Sequence, residues 1–553
     1  MCSVTPENLA NQVLSAAHAA FEAAGLDTAA LPVRTSVERP RNPEHGDYAS
    51  TLCLQLAKKV GKPPRELAEL IAARLRDTQG VSAVDIAGPG FLNIRLDAGA
   101  TGELAGRIVT AGKTYGHNDT MAGQRLNLEF VSANPVGPIH IGSVRWAAVG
   151  DALARVLTAS GADVTTEYYF NDAGVQIDHF ADSLLATAKG EPVGEDGYQG
   201  DYIPQIARQV LAQHPEALSA TDPREVFRVT GINVMFEQIK RSLADFGVHF
   251  DIYFNEKDLH EHGEVAAALE RLTDQGRVYR AEGATWLRTT DFGDDKDRVL
   301  RKSDGRWTYF AADCAYYLNK RQRGFDKVVI MLGADHHGYI GRMRAMVACF
   351  GDDPDTNLEI LIGQLVNLVK DGQPLRMSKR AGTITTLDAF VEALGADAGR
   401  YALARYSSDS TIDLDLDLWT RASNDNPVHY VRYAHSRIAS LLRNATEMGL
   451  SRGDDYDAAL LSHDRETDLL KQLAEFPQVV ATAAELREPH RVARYCEDVA
   501  AAYHRFYEAC RVLPRGDEEF TATGRARLWL AEAARVVLAN GLGLLGVTAP
   551  ERM

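Results

Sequence analysis

Two short motifs carry residue types that could do chemistry on a phosphate. The first is His140-Ile-Gly-Ser143, which follows Asn134-Pro-Val-Gly-Pro138 and precedes an apolar repeat. An imidazole and small residues opening a helix place backbone N–H groups where an anionic phosphate is best received. The second is Gly372-Gln-Pro-Leu-Arg-Met-Ser-Lys-Arg-Ala-Gly382, where Arg376, Lys379 and Arg380 form a cationic cluster bracketed by glycines. Such a loop suits closing over a polyphosphate. Each motif alone also reads as ordinary α/β scaffolding or as a solvated basic turn. A third cluster, Asp335-His336-His337, invites a metal. The three lack the i, i+4 spacing of helical ligands, and substrate contacts at a strand end fit them better.

The elements that must position these groups follow from periodicity. Leu126, Leu128 and Phe130 alternate with Asn127 and Glu129, the pattern of a strand. Val149, Ala152, Leu153, Val156 and Leu157 recur at helical offsets, with Gly161 as the stop, and Asp163–Phe170 supplies a second strand. From about 120 to 410 strands alternate with helices, which predicts a parallel sheet. A polar, helix-rich stretch from Gly190 to about Thr290 reads as an insertion between its halves. The sheet is expected to resume at Trp307-Thr-Tyr-Phe310 and again at Val328–Leu332. Before it, residues 1 to about 110 read as a small α+β domain with two strands around Gly88-Pro-Gly90, in which His45 and Asp47 are loop or cap groups. Beyond Asp413 only helices are expected: Asn424-Asp-Asn-Pro427 leads into a long one through Tyr430, Tyr433, His435 and Ile438, followed by Leu469–Leu486, Arg491–Leu513 and Ala526–Leu544. Tyr495, Tyr503, Phe506 and Tyr507 read as core, with one or two exposed aromatics left to stack on unpaired bases.

Composition narrows the classes. The 553 residues are 45% apolar and 25% charged, an ordinary globular balance with room for several domains. A net charge of −16 excludes a protein that coats nucleic acid over its whole surface, while leaving room for a local basic strip. Six scattered cysteines without a CxxC pair argue against a disulfide framework or a thiolate zinc site. No run of about 18 apolar residues appears, and the N-terminus lacks a basic-then-apolar leader, so a cytoplasmic protein is expected.

Taken together, in this order and on either side of a split α/β region, the two motifs resemble the HIGH and KMSKS motifs of class I aminoacyl-tRNA synthetases. Further segments resemble the arginyl-tRNA synthetase family: Glu129-Phe-Val-Ser-Ala-Asn134, Tyr168-Tyr-Phe-Asn-Asp-Ala-Gly174, Gly333-Ala-Asp-His-His337, Ser423-Asn-Asp-Asn-Pro427, Asn540–Gly546 and Ala549–Met553. The resemblance covers essentially the whole chain. It implies a multidomain α/β architecture: a Rossmann-type parallel-sheet catalytic domain over residues 111–412, with a connective insertion at about 190–290. A small α+β N-terminal domain, 1–110, would meet the tRNA elbow, and an all-α bundle, 413–553, would bind the anticodon. The implied reaction activates L-arginine with ATP to arginyl-adenylate and pyrophosphate, then transfers arginine to the terminal adenosine of tRNA(Arg). Mg2+ would accompany ATP, held mainly by phosphate oxygens. No protein-bound metal or zinc is expected, no membrane partner, and a monomer.

By the same resemblance, His140 steadies the triphosphate and Lys379 meets the leaving phosphates, with Ser143, Arg376 and Ser378 beside them. Gly137, His140, Gly142, Ser143, Met377 and Lys379 would line ATP. Arginine calls for carboxylates shaped to a planar guanidinium. Glu129 and Asp313 are the implied pair, with Tyr309 packed beside them, Asn134 on the α-amino or carboxylate end, and His336 at the strand end. A helix-cap or ion-pair role for Asp313 is the structural alternative. Lysine, lacking the fork, would be rejected by unpaired carboxylates without an editing domain. Two positions depart from the family pattern: Ser143 replaces the last histidine of HIGH, and Arg376 the first lysine of KMSKS. Serine can donate a hydrogen bond but carries no charge. Two other readings stay open. One is a small-molecule nucleotidyltransferase, which would need neither the N-terminal domain nor the helical one. The other is a weakly catalytic tRNA-binding protein, for which Ser143 is the support.

Overall fold

The structure, a computed structural model describing residues 6–40, 45–375 and 386–553, opens with an amphipathic helix laid against a small sheet. Helix α1 (Pro6–Ala23) is followed by β1 (Tyr48–Ser50), α2 (Leu52–Val60), α3 (Pro64–Leu75), β2 (Val81–Ala87) and β3 (Phe91–Leu96). The strands pair antiparallel in the order β1-β3-β2 and bury a core of their own around Val13, Phe21, Leu52, Ile71 and Ile94. The β2–β3 turn needs its glycine: Gly90 has φ 142°, and a Cβ there would stand 2.8 Å from the Pro64 backbone. Asp47 is not a loop ornament. Its carboxylate accepts the Leu96 N–H at 2.7 Å and pairs with Lys471 of the helical bundle.

Helix α4 (Ala98–Ala111) leads into the parallel sheet: β4 (Arg125–Glu129), α5 (Ile141–Ala159), β5 (Asp163–Phe170), then α6 (Val175–Lys189), α7 (Tyr202–Gln213), α8 (Pro223–Asp245) and β6 (Ile252–Asn255). The stretch read as one insertion, about 190–290, is therefore divided, because β6 returns to the main sheet as its edge strand beside β5. Then come α9 (Glu256–Glu261), α10 (Glu264–Asp274) and a separate antiparallel sheet, β7 (Val278–Ala281), β8 (Ala284–Leu287) and β9 (Arg298–Arg301). The main sheet resumes not at Trp307–Phe310 but after α11 (Tyr309–Gln322), at β10 (Lys327–Gly333). Trp307 makes one isolated bridge to Arg301, and the Thr308 hydroxyl caps the Ala311 N–H, so a cap overrides the β-prone aromatics. Helix α12 (Ile340–Cys349), the single turn α13 (Pro354–Asn357) and β11 (Leu358–Gly363) complete a five-stranded sheet, β11-β10-β4-β5-β6, with every pairing parallel.

A small sheet follows, β12 (Val366–Lys370) and β13 (Gln373–Pro374), with α14 (Leu387–Leu394), α15 (Ala396–Ala404), β14 (Ile412–Asp415) and α16 (Leu416–Thr420). Strand β14 gives way to α16 at Asp415, whose carboxylate accepts the Asp417 and Leu418 N–H groups. The bundle is α17 (Pro427–Glu447), α18 (Asp464–Ala474), α19 (Phe476–Glu485), α20 (His490–Ala509) and α21 (Ala522–Leu544). Leu469–Leu486 is two helices rather than one, since Pro477 has no N–H to continue the ladder and instead opens α19. Tyr495, Tyr503 and Phe506 are core; Tyr433 is exposed.

Sheet and bundle share one apolar core, running from Leu126 and Leu153 through Leu403 to Leu470 and Leu530. Arg400, fully buried on α15, ties it. Its guanidinium pairs with Asp151 of α5 and donates to the Phe246 carbonyl at 2.9 Å and the Leu545 carbonyl at 3.2 Å. Burial lowers its pKa and Asp151 opposes that. Gly546 sits at φ 66°, and a Cβ there would lie 2.1 Å from Arg400 Nη2. Gly546→Ala should therefore lose about 2–4 kcal/mol, combining backbone strain with overpacking. Urea unfolding measures it, and an unchanged midpoint would show that Arg400 can move.

Candidate active site

The site is made by a central strand that ends early. Glu129, the last residue of β4, lies opposite Glu167 of β5 and Ile330 of β10. Both neighbours run on, β5 to Phe170 and β10 to Gly333. The chain leaves β4 for β5 on one side and comes back to β10 on the other, so the gap above Glu129 is the topological switch point, where open α/β sheets bind ligands. The exit from β4 is strained: Val131 has φ 72° and Ser132 φ 42°. A β-branched residue held there costs about 1–3 kcal/mol and persists only if its surroundings fix it. They do. The Ser132 hydroxyl donates to Glu129 Oε1 at 3.1 Å and accepts the Tyr169 N–H at 3.2 Å.

The loop beyond is clamped from two sides. Asn134 Oδ1 accepts the Asn171 N–H at 3.0 Å, and its Nδ2 donates to Gln176 at 3.1 Å, so both ends of this amide are already engaged. Tyr202 of α7 donates to the Val136 carbonyl at 3.0 Å, and its hydroxyl would stand 3.0 Å from a Cβ at position 137, which explains Gly137.

His140 is the N-cap of α5. Its Nδ1 accepts the Gly142 N–H at 3.2 Å, and the ring is exposed. The Ser143 N–H donates to the His140 carbonyl at 2.8 Å, leaving its side chain half-buried on the first turn. The nearest atom to a Cβ at Gly142 is 3.5 Å away, so this glycine keeps the approach to the helix end low rather than relieving a clash. Arg376, Met377, Ser378 and Lys379 lie outside the described residues. The described chain resumes at Thr386, which is bridged to His140, and the Leu387 N–H donates to the Ile139 carbonyl at 2.9 Å.

Beneath the crevice lies a buried charge network. Glu129 Oε2 accepts from Lys320 at 2.5 Å, and Lys320, 1% exposed, also stands 3.8 Å from Glu167. Glu167 takes Arg323 on both oxygens at 2.6 and 3.0 Å, the Asn127 amide at 3.0 Å and the Tyr316 hydroxyl. Burial alone would raise its pKa, but Lys320, Arg323 and Tyr316 outweigh it and hold the carboxyl below its ordinary value. Asp313 is the opposite case. Its Oδ2 is buried without a hydrogen-bond partner. Burial, then Glu256 and Glu129, push its pKa up to about 7, with Arg342 opposing. Asp313 is not the cap of α11, since Thr308 holds that place. Tyr309 is 71% exposed, its hydroxyl near Gly174 at the rim.

The structure places the expected arginine-site residues as follows. Glu129 is already neutralised by Lys320 rather than vacant. Asn134 is bound at both ends, so it would have to release Gln176 to take a ligand. The segment carrying His336 is the turn that follows β10, a 3-10 turn over Ala334–Tyr339, with His336 exposed beside the Tyr339 ring. Residues missed by sequence reasoning are Ser132, Glu167, Tyr202, Glu256, Tyr316, Lys320 and Arg323. Lys320 was within reach, because seven residues separate it from Asp313 and place both on one helical face. Glu256 follows β6 and accepts from the Tyr169 hydroxyl, a partnership with no local signal in the sequence.

Three stretches of the chain match known families: residues 7–96 the arginyl tRNA synthetase N terminal domain, 217–402 the catalytic domain of tRNA synthetases class I (R), and 431–553 the DALR anticodon binding domain. The chain is 60% identical to an arginine–tRNA ligase of Kineococcus radiotolerans across 100% of both proteins. It superposes on the arginyl-tRNA synthetase of Thermus thermophilus with a TM-score of 0.76, at 23% identity, covering 98% of this chain and 99% of that one. With that of Plasmodium falciparum the TM-score is 0.72 at 16% identity, covering 100% of each. These two structural likenesses speak to fold alone.

Ser132→Ala would strand Glu129 Oε1 and the Tyr169 N–H beside an already strained turn. A loss of about 1–3 kcal/mol is expected, read by chemical unfolding. Unchanged stability would mean that the hydroxyl does not hold the turn.

Proposed function

The chain belongs to the arginyl-tRNA synthetase family, and from that premise we propose how the crevice above β4 carries out the reaction of an arginine–tRNA ligase. The protein joins L-arginine to tRNA(Arg) at the expense of ATP. Forming the adenylate requires the arginine carboxylate to attack the α-phosphate while pyrophosphate leaves. The terminal adenosine hydroxyl of tRNA then attacks the activated carbonyl and releases AMP. Both steps depend on positioning and on neutralising phosphate charge rather than on covalent help.

ATP lies with its phosphates at the N-terminus of α5, against His140, Gly142 and Ser143, with Gly137 below. Lys379 reaches the leaving phosphates from the loop that re-enters the described chain beside His140, with Arg376, Met377 and Ser378 flanking it. Mg2+ enters as part of the ATP complex, carried mainly on phosphate oxygens, where it neutralises the charge that develops as pyrophosphate leaves. Ser143 donates a hydrogen bond where a histidine could bring charge.

The single observation that carries the arginine assignment is the buried Oδ2 of Asp313, which has no hydrogen-bond partner. An arginine guanidinium supplies the missing donors in a planar fork. Glu129 and Glu256 add negative field, Tyr309 covers the fork from the rim, and Asn134 and His336 meet the α-amino or carboxylate end. Lysine carries one compact charge and would leave part of this acidic wall unpaired.

Residues 1–110 are assigned to the tRNA elbow, 111–412 to catalysis and 413–553 to the anticodon, supported by the family matches at either end. A monomer fits the scattered exposure of large apolar side chains. No helix among the described residues is long and apolar enough to cross a membrane, and a substrate tRNA favours the cytoplasm.

ATP–pyrophosphate exchange tests this function. Exchange should require arginine and tRNA, should not respond to lysine, and should fall at least about tenfold in Lys379→Ala with tRNA affinity retained. Exchange driven by lysine would overturn the specificity, and a normal rate in Lys379→Ala would remove that residue's role. Asp313 predicts a pH dependence. Its pKa of about 7 lies above the ordinary carboxyl value, so the charged form that arginine needs is lost as pH falls through that point. The kcat/KM for arginine should drop below about pH 7, and Asp313→Asn should abolish that inflection along with most of the affinity.

A further inference from the structure

We propose that Lys320 is a positioning residue for arginine: it neutralises Glu129 from inside the pocket wall, leaving Asp313 as the carboxyl that receives the substrate guanidinium. This rests on the arginine pocket described above.

Four acids belong to one charge network, Glu129 from β4, Glu167 from β5, Glu256 at the start of α9 and Asp313 on α11. Two cations are built in with them. Arg323 is committed to Glu167 on both oxygens, and Lys320 to Glu129 at 2.5 Å with Glu167 at 3.8 Å behind it. The Lys320 ammonium also lies 4.2 Å from the centre of the Tyr316 ring, and the Tyr316 hydroxyl binds Glu167. At 1% exposure it is shut off from bulk solvent. Glu129 and Glu167 are thus matched by Lys320 and Arg323. Asp313 is left under the negative field of Glu129 and Glu256, with Arg342 as the opposing cation, and its own charge acts on Tyr169, Tyr339 and the buried Cys314 thiol.

Lys320 and Asp313 lie seven residues apart on α11, about 10 Å along the axis. Lys320 therefore acts on Asp313 through Glu129, the carboxylate it pairs with and whose charge acts on Asp313, rather than by contact. Without Lys320 the field of Glu129 falls fully on Asp313, which keeps its proton to higher pH, and arginine must displace that proton before it can bind. A residue that merely filled space would not move that proton.

The test is the pH profile of arginine kcat/KM in ATP–pyrophosphate exchange with tRNA present. Lys320→Met should move the inflection upward by about one pH unit, with the loss in KM rather than in kcat on the alkaline side. The double variant Glu129→Gln with Lys320→Met removes both charges. Its inflection should return to the wild-type position although arginine binds more weakly. An unmoved inflection in folded Lys320→Met, or a double variant displaced as far as the single one, would overturn the proposal. Should the single variant not fold, the charge-balanced double variant decides alone: a wild-type inflection supports the role and a displaced one ends it. A wild-type profile that is flat through neutral pH would instead overturn the arginine pocket itself.

Discussion

A valine held with φ 72° at the end of the central strand is the constraint on which the rest of the structure depends. Had β4 continued in register, its next residues would have filled the space between β5 and β10, and the sheet would present an even edge. By turning out at Val131 and Ser132 the chain opens a slot with Glu129 on its floor. It then runs through Asn134 and Gly137 to deliver His140 to the start of α5. The conformation costs about 1–3 kcal/mol locally. Ser132 offsets part of that by binding both Glu129 and the β5 backbone. Tyr202 fixes the far end of the loop. One strained exit thus positions the nucleotide end and the amino-acid end of the same site.

The second organising fact is the distribution of charge below that slot. Buried carboxylates are tolerated when each is paired, and breaking a buried pair is severe because the remaining charge is stranded. Glu167 is paired several times over and Glu129 once, while Asp313 is given no hydrogen-bond partner on Oδ2. A protein selected for stability alone would not leave that carboxyl so. A bare buried carboxylate oxygen suits a substrate cation, and it makes the pocket selective for a ligand that brings a fork of donors.

Much of this was legible from the sequence, for reasons tied to particular residues. The alternation at Leu126–Phe130 and the helical repeat from Val149 gave β4 and α5, and the paired motifs pointed to the family. The departures came where tertiary context overrode local pattern. Trp307–Phe310 has strand-like composition, yet the Thr308 cap turns it into a helix start. The polar stretch before residue 290 hides β6, which is short and lies at the sheet edge. The charge network was invisible because its members come from β4, β5, α9 and α11. Only the Asp313–Lys320 spacing is local, and it becomes readable once α11 is seen as a helix. Ser132 looks like one more small residue in a loop until the φ values of its turn are known.

Titration calorimetry of L-arginine into the protein at about pH 7, in two buffers of different ionisation enthalpy, probes the vacant carboxyl most directly. Arginine's own side chain keeps its charge throughout. If Asp313 titrates at about 7 and must ionise to hold the guanidinium, about half a proton per bound arginine should be released. Release should vanish well above neutral pH, where the carboxyl is already charged. Binding without net proton release at about pH 7 would contradict the assignment of Asp313 as the group that reads arginine.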